Sequence, residues 1–223
     1  MKKIRSSLII LLSAAFILTG CASWNKTQKG AVVGTAAGGA MGAVIGRASG
    51  NTALGAIIGA AVGGGAGAII GNQMDKQAEE IAKTVPDAKV ERVGEGIVVE
   101  FSSNVLFAFD KSNLSDDAKI SLDKLVKVLN SYPDTNIEVQ GHTDSKGSGS
   151  YNQTLSEQRA GTVSSYLKNK DITASRVTIK GFGETLPKYD NATADGRTQN
   201  RRVEFLIAAN EKMIAAAKKE AGQ

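Results

Sequence analysis

The hydrophobic pattern divides the 223-residue chain into three stretches of different period. From Ser6 to Leu18 apolar side chains run almost unbroken, through Leu8, Ile9, Ile10, Leu11, Leu12, Phe16 and Ile17, behind a positive start at Lys2, Lys3 and Arg5. That run is short for a bilayer span and is followed by small residues, the pattern of a secretory signal. From Gly30 to Gly71 the period is four. Glycine recurs at Gly30, Gly34, Gly38, Gly42 and Gly46, then, after a polar break at Arg47, Ser49, Asn51 and Thr52, at Gly55, Gly59, Gly63, Gly67 and Gly71. Period four lays each set along one helix ridge and predicts a glycine-zipper helical hairpin over 30–71, with Ala, Val and Ile on the other faces. A helical stripe of Met74, Gln77, Ala78, Ile81 and Val85 then stops at Pro86, so residues 72–95 are expected to form a helical spacer.

Beyond residue 96, strand and helix periods alternate. Ile97 to Phe101 reads as a strand, which Val105-Leu106-Phe107 extends past a bulge or turn. Ser115, with Asp116 and Asp117 behind it, caps a helix whose buried face is Ala118, Leu122, Leu125, Val126 and Leu129. Ile137 and Val139 alternate in a second strand that runs into Gly141-His142-Thr143-Asp144. A Ser- and Gly-rich loop, 145–150, leads to a second helix from about Leu155 to Lys170 that buries Ala160, Val163 and Leu167. Val177 to Ile179 is a third strand, 187–200 a polar loop, and Val203, Phe205 and Ile207 a fourth strand. This order predicts an α/β (α+β) domain over 96–209, a βαβαββ mixed sheet with helices on one face, followed by a tail helix over 210–223.

Composition sharpens the middle stretch. Of the 25 glycines, 14 lie between Gly30 and Gly71. Ten ridge glycines cost isolated helices roughly 8–10 kcal/mol relative to alanine. Close approach along small-residue grooves offsets such a cost, so the zippers are expected to pack on each other or on another copy. Each zipper covers 17 residues, about 25 Å of helix against a ~30 Å hydrocarbon core. Both a membrane hairpin and self-association outside the membrane stay open on that length.

Charge and rare residues exclude several function classes. The formal net charge is +5, but Lys2, Lys3 and Arg5 account for three of those five, so no basic face remains for nucleic acid. One cysteine and one histidine provide neither an internal disulfide nor a His-rich metal site, and no metal or cofactor is expected. No serine stands in a nucleophile-elbow pattern, so an enzyme is not expected, although His142 with Asp144 or a serine is the constellation a hydrolase would use. Neither zipper holds a carboxylate that a proton channel would need.

Two resemblances add to this reading. Leu18-Thr19-Gly20-Cys21 resembles the bacterial lipobox. It implies a lipoprotein signal peptide over 1–20, acylation of the Cys21 thiol and a lipidated linker over 21–29. Ala22, where inner-membrane lipoproteins carry aspartate, implies the outer membrane. Acyl chains contribute about 0.8 kcal/mol per buried methylene, so several on one cysteine hold firmly. Farther on, Phe107-Ala108-Phe109-Asp110, Gly141-His142-Thr143-Asp144, Leu155-Ser156-Glu157-Gln158-Arg159-Ala160, Gly181-Phe182-Gly183-Glu184 and Asn200-Arg201-Arg202-Val203-Glu204 occur in order. Together they resemble the OmpA-like peptidoglycan-binding domain over roughly 97–207, and the whole chain resembles an OmpA-family outer-membrane lipoprotein.

The second resemblance implies meso-diaminopimelate of the peptidoglycan stem peptide as ligand. The free end of that side chain is a zwitterion. Asp144 is expected to take its ammonium and Arg159, with a planar fork, its carboxylate. Phe109, Asp110, Asn113, Thr143 and Arg202 are secondary contacts carried over from the family pattern. From the residues alone, a structural salt bridge between Asp144 and Arg159 stays open beside this reading. The expected function is a non-catalytic tether, lipid in the outer membrane and folded domain on peptidoglycan in the periplasm. The alternative is a zipper-driven membrane oligomer or pore that the wall domain only positions.

Overall fold

The computed structural model describes residues 64–108 and 110–222. The signal segment, Cys21, the first zipper, the second zipper as far as Gly63, and Phe109 lie outside the described residues. In chain order the elements are α1 (Gly64–Thr84), β1 (Lys89–Val93), β2 (Gly96–Ser102), the single turn α2 (Ser103–Leu106) and α3 (Asp116–Ser131). There follow β3 (Thr135–Gly141), α4 (Gly149–Lys168), β4 (Val177–Gly181), α5 (Ala194–Asn200), β5 (Arg202–Ala209) and α6 (Glu211–Glu220). The strands form one sheet in the order β1-β2-β5-β3-β4. β3 and β4 are parallel and the other neighbours antiparallel, so the expected mixed sheet is present.

Alternation along the strands makes the core. Ile97, Val99 and Phe101 of β2, Ile137 and Val139 of β3, and Val203, Phe205 and Ile207 of β5 share one buried face. Leu122, Leu125 and Leu129 of α3 and Ala160, Val163 and Leu167 of α4 close over it. Phe101 and Phe205 meet edge to face at 5.6 Å at its centre. The reverse face of the same strands carries Glu100, Glu138, Gln140, Arg202 and Glu204, beside a small apolar patch of Val98 and Leu206. The predicted strands and helices therefore stand, with four departures.

Lys89–Val93 forms an edge strand that the pattern does not announce, because only Val90 and Val93 in it are apolar. A two-residue turn with Gly94 at φ 58° folds it onto β2. Ser103–Leu106 is a helical turn and not an extension of β2: Phe107 N–H donates to the Ser103 carbonyl, and Phe107 makes a lone bridge to Leu114. α4 starts at Gly149, ahead of its apolar period, because Ser148 Oγ accepts the Tyr151 N–H as a cap. Within the polar loop, Thr193 caps the short α5 in the same way.

The fourth departure changes where the core ends. The stripe from Met74 to Ile81 belongs to the same helix as the end of the second zipper. Ala66, Ile70, Met74, Ala78 and Ile81 are all buried in the core that the sheet and α3 share. α6 lies along α1 and buries Met213 and Ala217 there, so the tail helix is part of the packing. Among the described residues, no helix is long and apolar enough to cross a membrane.

Candidate functional site

A close backbone crossing builds the site. A Cβ on Gly141, the last residue of β3, would stand 2.1 Å from the Ser156 carbonyl oxygen. Glycine therefore lets α4 pass directly over the strand end. Ser156 Oγ accepts the Gly183 N–H at 2.9 Å, and the Gly183 carbonyl accepts the Thr143 N–H at 2.9 Å. Gly183 itself adopts φ 51°. Strand end, helix start and the loop after β4 are thus fastened together, and Asp144 and Arg159 line one cavity of about 230 Å³.

Asp144 is buried, and both carboxylate oxygens are held. Oδ1 accepts the Lys146 N–H at 2.9 Å and Oδ2 accepts Arg201 Nη1 at 2.5 Å. Asn152 Nδ2 donates to the Asp144 and Lys146 carbonyls and to Glu184 Oε2, which fixes the loop around that carboxylate. Arg159 is held from behind. Its Nε donates to the Lys111 carbonyl at 3.0 Å, and its guanidinium lies 5.3 Å from the centre of the Phe107 ring. Among the described residues its two terminal nitrogens have no hydrogen-bond partner. Burial pushes the Arg159 pKa down, while Asp110, Tyr151 and Asp144 oppose that shift. Arg159 and Asp144 form no ion pair with each other, so the structural salt bridge that the residues left open is absent; Asp144 pairs with Arg201.

At the rim, Tyr151 donates its hydroxyl to Asp110 Oδ1 at 2.5 Å, and that bond raises the phenol pKa. Asp110 sits at φ 58°, a left-handed conformation that aspartate tolerates better than most residues. Thr143, buried beside Asp144, also lines the cavity.

Of the residues expected from the sequence, Asp110, Thr143, Asp144 and Arg159 gather here. Asn113 is exposed and does not line the cavity, and Phe109 lies outside the described residues. Arg202 does not line it either. Val203 faces the core, so alternation turns Arg202 to the reverse face of the sheet, where it donates to Glu204 Oε1 at 2.7 Å and to the Asn200 and Leu186 carbonyls. Arg201, one residue earlier, reaches the cavity instead. The Val203, Phe205, Ile207 period carried that signal in the sequence. Lys146, Tyr151 and Arg197, which also line the cavity, come from a loop, a polar helix start and α5, where no period marks them. Buried Asn200 positions their surroundings: its Oδ1 accepts the Lys188 and Tyr189 N–H groups, and its Nδ2 donates to the Tyr189 carbonyl and Asn191 Oδ1.

His142 is fully buried and stacks on Phe182 at 5.3 Å and 15°. Burial first, then the charges of Arg202 and Lys188, hold its pKa well below the ordinary histidine value. Neither ring nitrogen has a hydrogen-bond partner among the described residues, so no His142–Asp144 or His142–serine constellation is assembled.

Comparison with known proteins adds to this geometry. Residues 106–201 match the model of the OmpA family, and residues 1–75 match the YMGG-like Gly-zipper. Outer membrane porin F of Pseudomonas aeruginosa is 43% identical over 116 residues, which are 52% of this chain and 33% of the porin. Outer-membrane lipoprotein YfiB of the same species is 34% identical over 132 residues, 59% of this chain and 78% of YfiB. Among solved structures, the cell wall anchor of the T6SS from Pseudomonas aeruginosa matches with a TM-score of 0.54 at 28% identity, covering 61% of this chain and 97% of that one. The chain thus spans about a third of the porin's own length and most of YfiB's.

Proposed function

This chain belongs to the OmpA family, and from that premise we propose that it is a non-catalytic tether between the outer membrane and peptidoglycan. Acyl chains on Cys21 hold the outer-membrane end, and the C-terminal domain works in the periplasm. The cavity takes the free end of meso-diaminopimelate in a stem peptide, with Asp144 facing the ammonium and Arg159 the carboxylate. Asp110 and Thr143 line the same ligand. YfiB is an outer-membrane lipoprotein and the similar solved structure is a cell wall anchor, which supports both ends of the tether.

One observation carries the reading. An anion and a cation share a cavity without neutralising one another, each fixed from behind, and among the described residues the terminal nitrogens of Arg159 have no hydrogen-bond partner. Hydrogen bonds to charged groups contribute about 1.5–3 kcal/mol, so losing either side chain weakens binding on the order of ten- to a hundred-fold. The test is co-sedimentation of the full chain, in detergent, with purified peptidoglycan. The native protein is expected to pellet and free diaminopimelate to release it. Asp144→Ala and Arg159→Ala are expected to stay in the supernatant with an unchanged circular dichroism spectrum; pelleting of both variants would overturn the assignment. Cys21→Ser is expected to leave the protein out of outer-membrane fractions, which membrane fractionation and immunoblotting read directly.

A further inference from the structure

The two edges of the sheet are finished differently. β1 carries Lys89, Glu91 and Arg92, charges of the kind that keep an edge strand from pairing. In β4 the one charge, Lys180, is turned to the reverse face and paired with Glu138 at 3.0 Å. Ile179 is 47% exposed, and a groove bounded by Glu157, Ile179, Lys180, Gly181 and Phe182 runs beside it. None of these residues lines the cavity of Asp144 and Arg159.

Backbone alternation decides which groups of β4 are open. The Phe182 N–H donates to the Gly141 carbonyl of β3 at 3.0 Å, so Lys180 and Thr178, on the same alternation, also turn their N–H and C=O groups to β3. Val177, Ile179 and Gly181 turn theirs outward. Two of those groups are already spent. The Val177 N–H donates to the Ala174 carbonyl, and the Gly181 carbonyl accepts Gln153 Nε2 at 2.8 Å. The Val177 carbonyl, both groups of Ile179 and the Gly181 N–H have no partner among the described residues.

That set is self-complementary. We propose that β4 pairs antiparallel with β4 of a second copy, about a two-fold axis at Ile179, and joins the two sheets into one. Ile179 exchanges both its bonds with the partner's Ile179. The Gly181 N–H donates to the carbonyl of the partner's Val177, and the reverse, so every open group is used and no spent one is needed. Thr178 stands opposite the partner's Lys180, so like charges do not meet. The helix above leaves room. A Cβ on Gly181 would stand 2.4 Å from Glu157 Cγ, which fixes that turn of α4 over the end of β4. α4 connects two parallel strands and runs opposite to them. Two strand residues back, about 6.6 Å, is therefore matched by four helix residues onward, about 6 Å. Gly161 stands level with Ile179 at the axis, where a Cβ would meet nothing within 4 Å, and the two α4 helices can draw close there.

The test is sedimentation equilibrium and oxidative cross-linking of the full chain in detergent. The native chain is expected to associate to dimers. Ile179→Lys, which sets like charges at the axis, is expected to lose the dimer and keep its circular dichroism spectrum. Ile179→Cys is expected to cross-link to itself, because Cα atoms in a hydrogen-bonded pair lie about 5.5 Å apart. Thr178→Cys, about 7–8 Å from its own copy on the diagonal, is expected to link no more than the native chain with Cys21 alone. A native monomer, a dimer that survives Ile179→Lys, no linking of Ile179→Cys, or equal linking of the two cysteine variants overturns the proposal.

Discussion

Arg176 and Arg159 are both buried arginines, at opposite ends of β3, and burial pushes the pKa of both down. Where β3 begins, Arg176 spends its donors on backbone. Nε donates to the Thr135 carbonyl at 2.7 Å, and Nη2 to the Leu129 and Tyr132 carbonyls and to Thr135 Oγ1. It thereby satisfies carbonyls left over at the end of α3. The same end is tied to α1 by the Tyr132 hydroxyl on Glu80, and to α6 by the Asn210 N–H on the Asp134 carbonyl. Where β3 finishes, Arg159 spends Nε on one carbonyl and leaves its fork facing a cavity. Burial and charge are alike at the two ends. What separates a structural arginine from a binding one is whether its donors are already matched.

The strongest way to break that contrast is to remove the support of the closed end. A chain beginning at residue 90 lacks α1, and with it Ile70, Met74 and Ile81, three fully buried side chains. Each is worth about 1.5–3 kcal/mol of burial, against a total stability of about 5–15 kcal/mol for an ordinary domain. Residues 64–223 are expected to unfold cooperatively in urea by circular dichroism, and residues 90–223 to show a greatly lowered midpoint or no transition. Equal midpoints would mean that α1 is an appendage.

Substituting the two arginines sharpens the contrast at smaller scale. Arg176→Ala strands three carbonyls and is expected to cost about 2–4 kcal/mol in urea denaturation. Pelleting of its folded fraction with peptidoglycan is expected to persist. Arg159→Ala, which strands one carbonyl, is expected to cost about 1 kcal/mol or less while abolishing pelleting. Comparable losses of stability in the two variants would dissolve the distinction.

Period carried the fold better than the site. β2, α3, β3, α4 and β5 were legible because their apolar faces repeat at two or at three to four residues. β1 and α5 were not, since they are short and polar and are set by Gly94 and by the Thr193 cap. α1 was half legible. Its stripe at Met74, Ala78 and Ile81 extends back through Ile70 to Ala66, but the glycine ridge dominates the pattern there. That extension bears on the membrane question. With Ala66 and Ile70 in the domain core, the last turns of the second zipper, from Gly64 to Gly71, belong to the folded domain. As helix the whole zipper is about 25 Å, so a limb that used all of it to reach across a ~30 Å hydrocarbon core would have to pull the start of α1 off the sheet. Asp144 and Arg159 had no period to announce them and came from a family resemblance. Arg201 and Arg176 act through loops and carbonyls brought together by tertiary folding, which no local pattern encodes.

The open end also holds a group whose polar atoms are unmatched yet which does not line the cavity of Asp144 and Arg159, and it gives the smallest test. His142 is buried and, among the described residues, has no partner for either nitrogen, with Arg202 and Lys188 on the same face and Phe182 stacked against it. Its folded pKa is lowered, so below the unfolded value of about 6.5 the unfolded chain binds the extra proton. Stability is therefore fully present above that pH and falls by roughly 1.4 kcal/mol per unit below it, until the folded pKa is reached. The urea midpoint is expected to drop between pH 7.5 and 5.5. His142→Phe keeps the ring on Phe182 and has no proton to take up, so its midpoint is expected to fall less over the same interval. If native and variant lose stability in parallel, the acid sensitivity belongs to another group. The unmatched nitrogens of His142 would then be inert, unlike the unmatched donors of Arg159 at the same end of the strand.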